Sequence, residues 1–273
     1  SVLYLGSLAL EVIMGIPMHY GVLGLALFAA AYSLYGGLSA VAWTDVIQVV
    51  FLILGGLVTT YLALNNVSEG NGLIAGLKEI YNSAPEKFSM ILEPSNPEYK
   101  NLPGIGVLVG GMWVANLYYW GFNQYIIQRT LAAKSLEESQ KGILLAAALK
   151  LIIPLIVVIP GIAAYVMIKD TAGFDTFKAD NAYPWLLKLL PQGMKGLAFA
   201  ALTAAIVSSL ASMLNSTSTI FTMDIYKQYI KPNATDKQTV NTGRLSACIS
   251  LLISGIMAPL LGGIDQAFQF IQE

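Results

Sequence analysis

The sequence contains little charge. Only 11% of its 273 residues are Asp, Glu, Lys or Arg, and 56% are hydrophobic, whereas ordinary soluble domains are about 25% charged. Fifteen basic and sixteen acidic residues leave a formal net charge of -1, so there is no basic surface to attract nucleic acid and no acidic tail. This composition excludes a normal cytosolic enzyme and a nucleic-acid-binding protein, and it favours a membrane protein.

Cysteine and histidine are almost absent. The single cysteine, Cys248, lies in an apolar run and excludes both an internal disulfide framework and a CxxC metal site. The single histidine, His19, is predicted to be a loop residue in a break between apolar runs, far from other candidate metal ligands. The chain has no phosphate-binding glycine loop, HExxH motif or nucleophile with a base at workable spacing. We therefore expect no enzyme activity.

Long apolar segments are what the sequence does contain. A helix that crosses the hydrocarbon core of a bilayer needs about 20 mostly apolar residues, and six segments meet or nearly meet that standard. Two more segments, 1–15 and one that starts near Gln266, run into the chain ends, so we expect an internal part of a longer, multi-pass membrane protein. The six complete helices are predicted at 20–37, 39–66, 105–122, 142–168, 195–223 and 240–261.

The polar connections predict the orientation of these helices. Segments 123–141 and 224–244 are compact and rich in Lys and Arg, which places them in the cytoplasm by the positive-inside rule. The longer loops, about 67–104 and 169–193, then face outside. The first loop contains GLIAGLKEIY, whose apolar spacing is helical and which we expect to lie at the membrane interface. The second loop contains the amphipathic stretch AYPWLLKLL.

Polar groups within apolar helices indicate where function is located, because they usually face a bundle interior or a water-filled cavity. Lys150 lies inside LLAAALKLIIPLIVVIPG, where it either extends its stem to the cytoplasmic interface or hydrogen-bonds a polar substrate or a buried acceptor. In GVLVGGMWVANLYYWGFNQY, Asn116 lies beside Tyr118, Tyr119 and Trp120. This combination suits a pocket for a hydroxyl-rich ring, or equally a glycine packing face with interfacial aromatic residues.

The sixth apolar segment is rich in hydroxyl groups. Ser208, Ser212 and Ser216 share one helix face, and Ser209 lies about 100° further round. Such hydroxyls, with carbonyls from a broken helix, can replace the water shell of Na⁺, although packing through small residues is the alternative interpretation. Asp45, in AWTDVIQ, is predicted either to stabilise a helix N-terminus or to attract cations that enter or leave the site.

Four stretches show a similarity to a known family. The stretches YSLYGGLSAVAWTDVIQVVFLILGG, WVANLYYWGFNQYIIQRTLAAKS, AAIVSSLASMLNSTSTIFTMDIY and GGIDQAFQFIQE resemble the sodium:solute symporter family. The match extends over essentially the whole chain. It implies an all-α membrane protein, part of a LeuT-like transporter core built from two inverted repeats of five helices, with the substrate near the middle of the membrane.

The resemblance also implies roles for individual residues. Asn116, Lys150 and Gln272 match the family's sugar-binding positions, and Tyr119 matches the aromatic residue that stacks on the sugar and closes its cytoplasmic exit. Phe268 matches part of the outer hydrophobic gate. The residues that match the sodium site are Ser208, Ser209 and the backbone carbonyl of Ala205, and Asp45 matches an acid on the sodium path. The remaining sodium and sugar ligands of the family would precede Ser1.

The implied function is sodium-coupled symport of a hexose, galactose or glucose, across the bacterial inner membrane by alternating access. The expected partners are a small sugar, Na⁺ as the coupling ion and the lipid bilayer. Symport of another small solute, such as an amino acid, a vitamin or an anion, is one alternative. A membrane sensor that uses the same fold without transport is the other.

Overall fold

The computed structural model describes residues 2–96, 99, 104–171, 174 and 177–263, and these residues form helices and connecting turns with no strand. The all-α prediction is therefore confirmed. Two π-helical segments, Val107–Gly111 and Ile220–Ile230, adjoin α4 and α9. The α-helices are α1 (Val2–Met14), α2 (Met18–Val67), α3 (Leu73–Ser83), α4 (Met112–Gly121), α5 (Gln124–Leu131), α6 (Leu136–Lys150), α7 (Ile153–Ile168), α8 (Ala182–Leu187), α9 (Gln192–Thr219) and α10 (Asp236–Met257).

The chain divides into two compact units, which we call the terminal unit and the central unit. The terminal unit comprises Ser1–Thr60 and Ala172–Glu273, and the central unit comprises Tyr61–Thr171. The terminal unit therefore contains α1, most of α2, and α8 to α10. The central unit contains the end of α2 and α3 to α7.

The core of the terminal unit forms where α1 packs between α2 and α9. Leu3, Tyr4 and Leu8 of α1 are buried in one cluster with side chains of α2 and α9. A Cβ added at Gly6 would lie 2.7 Å from Ile206 Cγ2 and 2.9 Å from Leu25 Cδ1. The helices approach closely at this point because glycine has no side chain, as is common between membrane helices.

Local sequence explains where α1 ends and where α10 begins. Gly15 adopts a left-handed φ of 71°, and its N–H donates to the Glu11 carbonyl at 2.9 Å. This arrangement is a glycine C-cap, and Pro17 follows it because proline cannot continue the helix. At the start of α10, Thr235 and Gln238 form a reciprocal capping box that satisfies two otherwise unpaired N–H groups.

The central unit is held together by contacts of α3 and the turn that follows it. A Cβ added at Gly76 would lie 2.2 Å from the Leu64 carbonyl oxygen, so α3 meets the end of α2 backbone to backbone. Lys169 Nζ, just after α7, donates to the Ser83 carbonyl at 2.7 Å. Both predicted amphipathic stretches are helical, as α3 and α8. The outside location of their loops stays a prediction.

The segment predicted as the second outside loop packs into the terminal unit through α8. Leu186 and Leu187 are almost completely buried. Burial raises the pKa of the nearby Tyr183 phenol, and a hydrogen bond with Thr59 partly offsets that rise. An ionised Tyr183 would lose hydration in this position, so the neutral phenol is the form that suits the fold.

The helix boundaries correct two predictions made from sequence. The break predicted at YGGLS is wrong, because α2 continues from Met18 to Val67. Glycine lowers helix stability by about 1 kcal/mol relative to alanine, but it keeps its N–H, and this stretch contains no proline. His19 is consequently in the first turn of α2, stacked on Tyr20, and is not a loop residue.

Four helical stretches in the described part of the chain are long and apolar enough to cross a membrane. The predicted span 20–37 overlaps Met18–Ser33, a shorter apolar stretch at the start of α2. The predicted span 105–122 overlaps the π-helical segment Val107–Gly111 and α4. Large apolar side chains such as Trp43 (76% exposed) and Leu151 (81% exposed) lie uncovered on these helices, as expected for surfaces that meet lipid or other membrane helices. The four stretches are Val41–Val67, Leu136–Ile168, Gln192–Ile230 and Asp236–Leu261.

Candidate functional site

The side chains of Asn116 and Trp120 on α4 and of Lys150 at the end of α6 contact one another in the central unit. Lys150 Nζ lies 4.0 Å from the centroid of the Trp120 ring. The Trp120 Nε1–H in turn donates to Asn116 Oδ1 at 3.1 Å, and Asn116 Nδ2 donates to the Met112 carbonyl at 2.8 Å. An ammonium over an indole face is a favourable cation–π arrangement. Two predicted sugar-binding residues are therefore connected through an aromatic ring.

Trp120 is one of the aromatic residues that the sequence places beside Asn116, but it was not among the predicted sugar-binding residues. It lies four residues after Asn116, one helical turn further along α4, so the two side chains share a face. That spacing was visible in the sequence. Its contact with Lys150 was not, because it depends on how α6 packs beside α4.

The helix is interrupted immediately after Lys150. This residue ends α6, and the Leu151 and Ile152 amides donate to carbonyls three residues back, at 3.2 Å and 3.0 Å. Pro154 has no N–H to donate to the Lys150 carbonyl, which a continuous helix would require. The proline thus causes a helix interruption at the predicted site residue. A carbonyl at such an interruption is available to bind a ligand.

Small-molecule sites typically have volumes of about 300–1,000 Å³, and a cavity of about 670 Å³ lies beside Lys150. Its walls are mainly apolar, and Trp120 and Lys150 contribute a ring face and a charged donor at one end. Asn116 and Tyr119 are absent from its lining. The other described residues around it are Ile126, Ile127, Arg129, Thr130, Ala133, Glu138, Ser139, Gly142, Ile143, Ala146 and Ala147.

Tyr119 contacts Trp120 edge to face, with ring centroids 5.1 Å apart. Its side chain is 39% exposed. The Trp120 ring can therefore hold the Tyr119 ring in position while a face of Tyr119 stays accessible. Both predicted roles of Tyr119, stacking on a sugar and membership of an interfacial aromatic belt, are compatible with this position.

The predicted sodium residues lie on α9 in the terminal unit. Ser208 Oγ donates a hydrogen bond to Asp45 Oδ1 of α2. Ser208, Ser212 and Ser216 are all buried on the same helix face, as their spacing predicted. Because Asp45 lies in the interior of the long α2, its predicted role at a helix N-terminus is wrong.

The other two predicted sodium ligands, Ser209 and Ala205, lie about one helical turn apart on α9, and their binding of Na⁺ stays a prediction. Ser209 and Ala205 are half-buried, and Ser209 Oγ has no hydrogen-bond partner among the described residues. The described chain also contains no cluster of three or more His, Cys, Asp or Glu side chains. Hydroxyl and carbonyl oxygens suit Na⁺, a hard cation. Gln272 and Phe268 lie outside the described residues.

Comparison with known proteins identifies the class and then the family. The fold is that of a multi-pass membrane transporter. It is similar to the solved structure of a substrate-bound, outward-open Na⁺-coupled sialic acid symporter, and the match covers 95% of this chain and 54% of the symporter chain with a TM-score of 0.78 and 27% identity. Residues 1–267 match the model of the sodium:solute symporter family. The chain belongs to this family, which confirms both the resemblance and the predicted LeuT-like fold class.

Two curated relatives add detail. A sodium/glucose cotransporter of Vibrio parahaemolyticus is 62% identical over 100% of this chain and 52% of its own length. A human sodium/myo-inositol cotransporter 2 is 33% identical over 99% of this chain and 43% of its own length. The chain spans about half the length of the curated relatives it matches.

Proposed function

We propose that this chain is part of a sodium-coupled symporter for a hexose, glucose or galactose, in the inner membrane of a bacterium. The observation that carries the proposal is 62% identity to the Vibrio sodium/glucose cotransporter over the entire chain. The family transports solutes with sodium. Na⁺ is the coupling ion and the sugar is the cargo.

Sugar binding is assigned to Asn116, Lys150, Tyr119 and Gln272. A pyranose presents hydroxyl groups around its rim and C–H groups on its faces, so it needs amide or ammonium donors and an aromatic plane. Asn116 and Lys150 supply the polar groups, and Tyr119 supplies a ring. Trp120 acts as a positioning residue, because it contacts both Asn116 and the Lys150 ammonium.

Sodium binding is assigned to Ser208, Ser209 and the Ala205 carbonyl, with Asp45 on the path of the ion. The Ser208 hydroxyl donates a hydrogen bond to Asp45, so its oxygen lone pairs are oriented away from the carboxylate and are available to a cation. The Asp45 charge attracts Na⁺ toward these oxygens. Phe268 is assigned to the outer gate.

Coupling follows if Na⁺ and sugar each bind one conformation better than the other. The free energy of sodium binding then favours the outward-open state and raises sugar affinity, and reciprocity requires sugar to raise sodium affinity equally. The rocking of one helix bundle against another carries both ligands across the membrane.

The test is uptake of labelled galactose and glucose by the full-length protein in proteoliposomes. An inward sodium gradient should drive accumulation, and a matched potassium gradient should not. Equal uptake under the two gradients would contradict coupling. Binding of sugar without any sodium-coupled flux would support a sensor on the same fold.

A second candidate substrate is a cyclic polyol, favoured by the likeness to the sodium/myo-inositol cotransporter. Glucose and inositol present the same kind of hydroxylated ring to an amide and an aromatic face. Competition of unlabelled sugars, myo-inositol, amino acids and small organic anions against labelled galactose distinguishes these alternatives. Inhibition by hexoses at the lowest concentrations supports the sugar assignment.

A further inference from the structure

A second cavity lies within the terminal unit, separate from the proposed sodium and sugar residues. It has a volume of about 350 Å³ and is formed by the end of α9, the π-helical segment after it, the first half of α10 and Ser33 of α2. Its polar lining includes Asn215, Ser218, Thr222 and Arg244. None of the roles assigned above uses these residues.

Two buried polar atoms of this cavity have no hydrogen-bond partner within the described chain. They are Asn215 Nδ2 and Thr222 Oγ1, and the Thr222 side chain is only 4% exposed. Ser33 Oγ donates to Asn215 Oδ1 at 3.2 Å, which orients the NH₂ group of the amide away from Ser33. Buried polar groups are normally satisfied because an unmade hydrogen bond destabilises the fold. Two such atoms on one cavity therefore indicate a ligand.

The side chains that line the cavity indicate the charge of that ligand. Asn215 Nδ2 and the Arg244 guanidinium are donors only, and the Thr222 and Ser218 hydroxyls can also donate. No Asp or Glu is among the described lining residues, and Arg244 forms no ion pair within the described chain. A group of convergent donors with one fixed positive charge suits an anion and disfavours Na⁺.

Packing around Gly243 keeps the cavity open. A Cβ at this position would lie 2.7 Å from Ser218 Oγ and 3.3 Å from Thr222 Oγ1. Glycine thus allows α10 to approach these two hydroxyls without displacing them. Any larger residue would push into the part of the cavity that contains the unpaired Thr222 oxygen.

We propose that this cavity binds a small inorganic anion, chloride or phosphate, held by Arg244, Asn215 and Thr222. An anion there contacts α9 and α10, and through Asn215 and Ser33 it supports the contact between α9 and α2. These are the same two helices, α2 and α9, that the Asp45 to Ser208 hydrogen bond joins. Anion occupancy therefore stabilises the arrangement that holds the proposed sodium serines.

The test measures anion binding directly on the full-length protein in lipid nanodiscs, with radiolabelled chloride in one arm and radiolabelled phosphate in the other. Saturable binding in either arm is expected and identifies the anion. Replacement of Arg244 by Gln or Thr222 by Val should weaken it at least about tenfold, the effect of losing one hydrogen bond to a charged group. Lys237→Gln, which removes an exposed cation from the same helix outside the cavity, should leave it unchanged.

A second measurement keeps the proposal testable if one variant folds poorly. The bound anion should raise the melting temperature of the natural protein but not that of Gly243→Ala, whose added methyl group narrows the cavity. Absence of saturable chloride and phosphate binding to the natural protein would overturn the proposal. So would binding that Arg244→Gln and Lys237→Gln weaken equally, because the positive charge would then act from a distance and not within the cavity.

Discussion

The two units hold their functional residues in opposite ways. In the terminal unit, the proposed sodium serine Ser208 is 3% exposed and already hydrogen-bonded to Asp45. In the central unit, Asn116 and Lys150 are exposed within the described chain, and they are connected through the Trp120 ring. The proposed sodium ligand Ser208 is preorganised by packing, whereas the proposed sugar ligands Asn116 and Lys150 are held by a short series of surface contacts.

This difference fits what each proposed ligand requires. An ion must exchange its whole water shell for protein oxygens, so the oxygens need to be desolvated and oriented before it arrives. A sugar keeps its many hydroxyl groups hydrogen-bonded through adaptable donors and needs apolar walls over its faces. We therefore expect mutations in the terminal unit to act mainly on sodium and mutations near Trp120 to act mainly on sugar.

The largest expected effect is that of Ser208→Ala. It removes a buried hydroxyl that is both a proposed sodium ligand and a donor to Asp45. A hydrogen bond to a charged group contributes about 1.5–3 kcal/mol, so the sodium concentration for half-maximal uptake should rise about 10- to 100-fold. Galactose uptake measured over a range of sodium concentrations gives this half-maximal concentration for the natural protein and the variant. Ser216→Ala, on the same buried face two turns away, is the control and should change this concentration little.

The packing of the two units should also respond differently to an added methyl group. Gly76→Ala in the central unit would place its Cβ 2.2 Å from the backbone oxygen of Leu64, which cannot move aside easily. We expect it to destabilise the protein by about 1–3 kcal/mol. In Gly6→Ala of the terminal unit, the added methyl group meets methyl groups of the Ile206 and Leu25 side chains. We expect this substitution to lower the free energy of unfolding less than Gly76→Ala. Thermal unfolding in detergent measures both; an equal loss would show that the side chains of the terminal core cannot adjust.

Loss of the cation–π contact should have an intermediate effect. Trp120→Leu keeps an apolar side chain but removes the ring under Lys150 and the donor to Asn116. Contacts of this type contribute about 0.5–2 kcal/mol, so the KM for sugar should rise about 2- to 30-fold while the sodium requirement stays constant. Lys141→Gln, an exposed change on α6, is the control. A change in sodium requirement alone would contradict the division between the units.

The smallest expected effect is stabilising. Gly161 lies inside α7, and a Cβ added there has no heavy atom within 4 Å. Gly161→Ala should raise stability by about 0.4–1 kcal/mol because alanine loses less conformational entropy in a helix. The readout is a small rise in melting temperature without a change in uptake. A fall would indicate that this face of α7 is covered by residues outside the described part.

The sequence predicted the helical elements better than their boundaries. Apolar length located the long spans. The supposed break at YGGLS was wrong because glycine is only a weak helix breaker, whereas the break after Lys150 depends on Pro154, which removes a donor. The i, i+4 spacing correctly predicted the buried face of Ser208, Ser212 and Ser216.

Composition and local spacing, then, determined the class of this protein, its helices and the face of each helix that is polar, because these depend on transfer free energy and on the period of the helix. Tertiary structure alone decided which polar groups meet. Three contacts or groups depend on how distant helices pack. Ser208 pairs with Asp45 across 163 residues of sequence, and the Lys150 ammonium lies over the Trp120 ring. Asn215 and Thr222 bring unpaired polar atoms to one cavity. Packing is set by shape over the whole unit, so no local pattern in the sequence predicts it.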